Sequence, residues 1–453
     1  MNKLERLWNN LRSSLWFTPG LMVTGAVVIA VLFIEIDSHV DAELLANWPR
    51  LFGAGADGAR GMLSAIAGSM ITVAGVTFSI TIVALSLASS QYTPRILRNF
   101  MGDRTTQIVL GFFVSIFAYC LVVLRTIRGG DEGRFIPSLA VAFGFVLALV
   151  GIGVLILFIH NIASSIQASS VISSAAAETI TAVRKLFPAE LGRGAEPSEG
   201  NEALELGGVE WKSVPALRTG YIQSIDTSAM LAFAEKYDAV ISMEQGIGEF
   251  VVENSPLVSL SIATAPDEGV VRELNGNYTI SPRRTVEQDA SFGITQIVDI
   301  ALKALSPGIN DTTTALTCMD YLGAILAELA DRRIETRYRA DGNKLRIIAQ
   351  GPTFAQLVAA SFDQIRLNAA GNVAVLLRMM NAIATVAERA KSKRRKQILL
   401  QHLHLIMDAA NATVEAPYDR RQVMERFEKA LALLGEKSLR FTSDRTEEGT
   451  QKQ

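Results

Sequence analysis

Residues 61–91 read GMLSAIAGSMITVAGVTFSITIVALSLASSQ, from Gly61 to Gln91, without one charged side chain. Built as an α-helix rising 1.5 Å per residue, the run is roughly 45 Å long, whereas the hydrocarbon core of a bilayer asks for ~30 Å. Such a helix spans a membrane and continues beyond it, so the chain reads as a membrane protein.

On a helical wheel, Gly68, Thr72, Gly75, Ser79, Ser86 and Ser90 fall on one face, while Ile71, Phe78, Ile80, Ile82 and Leu85 lie mostly elsewhere. The helix therefore has an apolar surface suited to lipid and a narrow, slightly polar seam that needs protein or water beside it. Two uses of the seam are compatible. Small residues let neighbouring helices approach closely, with hydroxyls bonded to carbonyls one turn back. Copies of the same helix in a homo-oligomer can also ring a water pore, whose wall needs polar groups without fixed charge.

Working outward, apolar runs predict three more spans, at about 17–36, 108–124 and 136–159, around the second at 61–91. Trp16 anchors the start of the first. Between the first two spans, VDAELLANWPRLF reads as a short amphipathic helix on the membrane surface. Four spans place both termini on one side, expected to be the cytoplasm because of the large C-terminal part, although Lys and Arg counts on the two sides nearly balance. The basic, amphipathic N-terminus has no small-residue cleavage site and reads as retained. Arg95 and Arg98 follow the seam helix after Pro94, so an oligomer would carry a ring of positive charge at a cytoplasmic mouth; ordinary anchoring by basic residues also explains them.

Half of the 453 residues are hydrophobic (49%), and the excess sits before about residue 165, which divides the chain into a transmembrane domain (1–165) and a soluble α+β part. From His160 a helix rich in small and hydroxyl residues carries the fourth span out of the lipid, and 166–205 is helical connector and linker. The period then switches from 3.6 to 2 for a small β-rich module (206–265), with strands near Val209–Trp211, Gly220–Ser224, Ala239–Met243, Glu249–Val252 and Leu257–Leu260. GIGEFVVENSPLVSL has the turn and strand pattern of biotinyl- or lipoyl-like modules, but no lysine stands at the turn, so no covalent cofactor is expected. A mostly helical domain (266–440) contains a hairpin around Asp341–Asn343, and the tail 441–453 is polar and expected to be disordered.

The formal net charge of −2 gives no reason to expect nucleic acid, and the basic cluster Lys391–Lys396 is short enough for a solvated helix end or lipid head groups. The two cysteines, Cys120 and Cys318, form neither a disulfide framework nor a zinc spacing, and His402 and His404 point away from each other on a helix. No nucleophile elbow, phosphate loop, dinucleotide fingerprint or zinc-protease motif occurs, so neither an enzyme nor a metal or cofactor protein is expected. The candidate site of the soluble part is the SPGIND turn. Ser306, Asn310 and Asp311, at the start of a helix, could hold an anion or polar ligand with Arg283 and Arg284, or simply make a well-capped turn whose arginines bond Glu287, Asp289 or Asp311.

Two blocks, FSITIVALSLASSQYTPRILRNFMGD and EQDASFGITQIVDIALKALSPGINDTTTALTCMDYL, resemble the bacterial predicted membrane proteins grouped as domain of unknown function 2254. The resemblance covers nearly the whole chain and implies the architecture and a bacterial inner-membrane location, but no activity. The turn reads INDTTTA where a proline is expected after the Asp, and Thr312 takes the first helical position instead. The expectation is a homo-oligomeric ion channel or pore-like protein lined by the second span, with membrane lipids, inorganic ions and its own copies as partners. A pentamer is one of several rings that could close. The alternative is a non-conducting anchor whose cytosolic domain senses a ligand or recruits a partner.

Overall fold

The computed structural model describes residues 16–39, 55–91, 104–129, 135–165, 167–187, 210–332, 334, 338–341, 344–369 and 371–435. The surface helix expected near 40–52, Pro94, the linker, the N-terminal lead and the C-terminal tail lie outside them. The chain divides into two compact units, Met1–Val171 and Ile172–Gln453, each taken on its own below.

In the first unit, α1 (Phe17–His39), α2 (Ala56–Gln91), α3 (Arg104–Thr126) and α4 (Ser138–Ser165) are, among the described residues, the four helices long and apolar enough to cross a membrane. Central among them is α3, which packs against the other three. Phe113, Ile116, Tyr119 and Val123 of α3 are fully buried. Small residues let the backbones close in: a Cβ on Gly111 would stand 2.9 Å from the Pro19 Cα, and one on Gly144 3.2 Å from Leu63. The Tyr119 hydroxyl donates to the Ala140 carbonyl at 2.8 Å, and its ring packs edge-on to Phe143, which stacks on Phe33. The start of α4 is capped from another helix, since the Asp37 carboxylate accepts from the Leu139 and Ala140 amides at 3.0 and 2.9 Å. Arg60 donates to the Ile127 carbonyl at 3.0 Å near the end of α3.

The connector is not one continuous helix with the fourth span, contrary to expectation. Helix α4 ends at Ser165 and α5 starts at Ala168. The Ser164 hydroxyl donates to the His160 carbonyl one turn back at 3.1 Å, and the Gln167 amide donates to the Ser164 carbonyl at 3.3 Å.

The second unit opens with β1 (Lys212–Pro215), β2 (Gly220–Ile225), α6 (Thr227–Lys236), β3 (Ile241–Met243), β4 (Phe250–Val251), β5 (Pro256–Leu260), α7 (Glu268–Asn275) and β6 (Tyr278–Ser281). Helices α8 (Ala290–Ala304) and α9 (Thr312–Asp331) follow, then the hairpin β7 (Tyr338–Asp341) and β8 (Lys344–Ile348). The chain continues as α10 (Phe354–Asn368), α11 (Val373–Arg389), α12 (Lys393–Thr413) and α13 (Pro417–Leu434).

The strands form a five-stranded sheet, β1-β5-β3-β8-β7, and a three-stranded sheet, β4-β2-β6. Strand β8 joins β3 in parallel, Ile241 opposite Ile347, and β6 joins β2. The boundary expected at residue 265 therefore cuts through both sheets, because the module borrows β6, β7 and β8 from farther along the chain. The first strand is also displaced from the expected 209–211. It starts at Lys212, where pairing of Val214 with Val258 puts Val214 in the core. In the helical layer α9 and α11 run parallel, tied by Asn372 to Thr312 at 3.0 Å, Arg378 to Asp320 at 3.2 Å and the close pair Gly323 and Ala382.

Candidate functional site

Helix α2 is 36 residues long, and its two sides differ. Ala59, Leu63, Ala67, Met70, Ala74, Thr77 and Ala84 are buried, on the side that packs on α3 and α4. At 100° per residue this stripe is centred roughly opposite the seam. Gly68, Thr72, Gly75, Ser79 and Ser86 are all exposed, and a Cβ built on Gly68 or Gly75 meets nothing within 4 Å. Among the described residues the seam is thus unpartnered, flanked by exposed Ile71, Phe78 and Ile82 on one side and Val76 and Val83 on the other.

The Thr72 hydroxyl donates to the Gly68 carbonyl at 2.8 Å, so its proton is used by the helix and its lone pairs face outward. Ser69 and Thr81 bond back in the same way. Thr77, by contrast, is buried on the packed side. The side chain of Ser90, and Arg95 and Arg98 entirely, lie outside the described residues.

The soluble candidates are not brought together. Arg284 sits before α8, where its Nε donates to the Asp289 Oδ2 at 2.8 Å and its guanidinium lies 5.1 Å from the centre of the Phe292 ring. Asp289 is buried and caps α8 by accepting the Phe292 amide at 2.9 Å. Burial pushes this carboxyl upward, and the Arg284 guanidinium and the Phe292 amide oppose that shift. Arg283 is exposed, and its carbonyl accepts from Gln223 at 2.6 Å.

Ser306, Asn310 and Asp311 stand at the other end of α8, about 22 Å away by the rise of its turns. There Ser306 donates to the Lys303 carbonyl at 2.6 Å and Asn310 takes the left-handed conformation, φ 49°. Asp311 caps α9, accepting the Thr314 amide at 3.0 Å and the Thr314 hydroxyl at 2.5 Å. That hydroxyl, then the amide, hold the Asp311 carboxyl below its ordinary value. The arginines and the turn therefore form no common anion site, and Asp311 already takes an amide that a ligand would need.

Two features were missed by the sequence reading. One is Asp37 as the cap of α4, signalled only by an acidic residue at the end of a span. The other is the contact of Gly293 with Thr179, where a Cβ on Gly293 would overlap the Thr179 hydroxyl; the run of small residues in α5 was its one local signal. Among the described residues, no three His, Cys, Asp or Glu side chains are grouped to hold a metal. Cys120 and Cys318 are buried and free.

An uncharacterised protein of Mycobacterium tuberculosis strain H37Rv is 29% identical over 440 residues, covering 94% of this chain and 81% of its own. An uncharacterised protein of Mycobacterium bovis matches to the same extent, 29% over 440 residues with 94% and 81% coverage. No solved structure matches the chain. The profile of one family, described as predicted membrane protein (DUF2254), matches residues 12–385, most of the chain including all four spans, and the chain belongs to that family.

Proposed function

We propose that the chain is a homo-oligomeric ion channel or pore-like protein of the bacterial inner membrane, with α2 lining the conducting path and both termini in the cytoplasm. The observation that carries this reading is the outward direction of the uncharged seam. Intramolecular packing uses the opposite side of α2, which leaves Gly68, Thr72, Gly75, Ser79 and Ser86 for water or a second copy. A polar seam that the third or fourth span covered would argue for a plain anchor, and neither span covers it.

The other spans make weaker walls. Helix α3 is half buried against its neighbours and exposes apolar Ile108 and Leu121, and α4 exposes Phe145, Val146, Leu149, Ile156 and Leu157, side chains suited to acyl chains. Around a common axis, several copies of the α2 seam would present hydroxyls and bare backbone without fixed charge, a surface that wets without trapping an ion. Lipids, inorganic ions and further copies of the chain are the partners this reading requires. The second unit would bias opening by binding something in one state more tightly than in the other.

The test is ion flux into liposomes carrying the purified protein, wild type against Ser79→Trp. Flux that tryptophan abolishes while assembly is retained supports a pore along α2. No flux from the wild type under cation gradients, anion gradients and applied tension refutes conduction and leaves a membrane-anchored sensor or scaffold.

A further inference from the structure

Three parts of the second unit meet at residues 283–293. From the β-rich layer, the 246–249 turn presents Gly248 at φ 87°, and a Cβ there would stand 2.8 Å from the Arg284 guanidinium and 3.0 Å from the Asp289 carboxyl carbon. Strand β2 holds the same segment: the Ile225 amide donates to Gln288 at 3.2 Å and Gln223 to the Arg283 carbonyl at 2.6 Å. From the helical layer comes the first turn of α8, capped by Asp289.

The third part is α5, the helix into which the chain runs after the fourth span. Thr179 of α5 is fully buried against Gly293, with its Cγ2 and Cβ 2.8 and 2.9 Å from where a Cβ on Gly293 would be. One turn on, Ala182 packs in a small cluster with Val286 and Phe292. The far end of α5 is pinned as well, since Arg332 donates to the Phe187 carbonyl at 2.7 Å and Arg184 pairs with Glu328 at 3.0 Å.

Asp289 therefore touches the β-layer turn on one side, and on the other it starts the helical turn that carries Gly293 against α5. Neither contact has clearance, and close-packed elements of this kind shift together or separate. We propose that residues 283–293 are a transmission joint. Whatever displaces the 246–249 turn moves the first turn of α8 and, through it, α5. A ligand or partner of the β-rich layer then acts on the helix that follows the last span. This inference does not depend on whether the protein conducts.

Thermodynamic coupling is reciprocal, so the joint can be tested from both ends. Hydrogen exchange is measured by mass spectrometry on the full chain in detergent for wild type, Gly248→Ala, Asp289→Asn and Gly293→Ala. Gly248→Ala is expected to speed exchange of α5 amides 176–187 by about tenfold, and Gly293→Ala to do the same for 222–225 and 246–250. Effects confined to the mutated side overturn the proposal. If Gly248→Ala also speeds amides 399–431 as much, the unit has loosened as a whole. Asp289→Asn, which keeps the shape and the cap but removes the charge pair, then decides by the same readouts: faster exchange on both sides supports the joint, and no change in α5 overturns it.

Discussion

The contact at Gly293 sets a strong constraint on the second unit. In Gly293→Ala the new methyl would overlap the Thr179 hydroxyl and approach its Cγ2 and Cβ to 2.8 and 2.9 Å, closer than carbon atoms sit. Thr179 cannot turn away freely, because it is buried and its hydroxyl donates to the Ala175 carbonyl at 2.7 Å. The helices must part, which for a forced methyl in a close-packed site costs about 1–3 kcal/mol. Alanine is the better helix former by ~1 kcal/mol, so the net loss is up to about 2 kcal/mol, or up to roughly 4 °C in Tm for a unit of this size.

Thermal unfolding of the full chain in detergent, followed by far-UV circular dichroism, measures this. Thr179→Ala deletes the hydroxyl and the Cγ2, so the double variant should lie closer to wild type than the two single losses summed, with a coupling of about 1 kcal/mol. A Gly293→Ala protein as stable as wild type, with additive single effects, would refute the close approach and remove one end of the proposed joint.

Asp37→Ala deprives two amides at the start of α4 of their acceptor and should cost about 1–2 kcal/mol in detergent unfolding, with Asp37→Asn intermediate. Asp311→Ala, at an exposed cap, should cost about 1 kcal/mol and Asp311→Asn much less, read from denaturant midpoints. His402 is buried, its Nδ1 3.5 Å from an Asp363 carboxylate oxygen. Burial lowers its pKa, against the pull of Asp363 and together with the Arg366 charge. The unfolded chain then takes up a proton near pH ~6.5 that the folded chain refuses. Stability is full above that pH and is lost as pH falls through the lower folded value, so urea midpoints at pH 7.5 and 5.5 should differ more in wild type than in His402→Gln.

How much could be read beforehand varied with the range of the interaction concerned. The four spans and the Asp311 cap rest on consecutive residues: an uncharged run of sufficient length, and an acid before a helix. Each emerged within a few residues of its expected place. The strands whose positions moved, and those absent from the expected β module, are short. Their edges are set by partners far along the chain, as Lys212 is set by Leu260 and Ile241 by Ile347. The sequence allows Arg283 and Arg284 to share an anion site with the SPGIND turn, but a helix of 15 residues holds its two ends apart.

By itself the amino-acid sequence determined that this chain crosses a membrane and that one span carries a polar seam, since transfer into lipid depends on the side chains of each segment in turn. Only the tertiary structure decided which way that seam points. Nothing local distinguishes the two sides of α2 as inner and outer. The alanines, Leu63 and Met70 fit the surface offered by α3 and α4, and the seam was left outward when that side was buried.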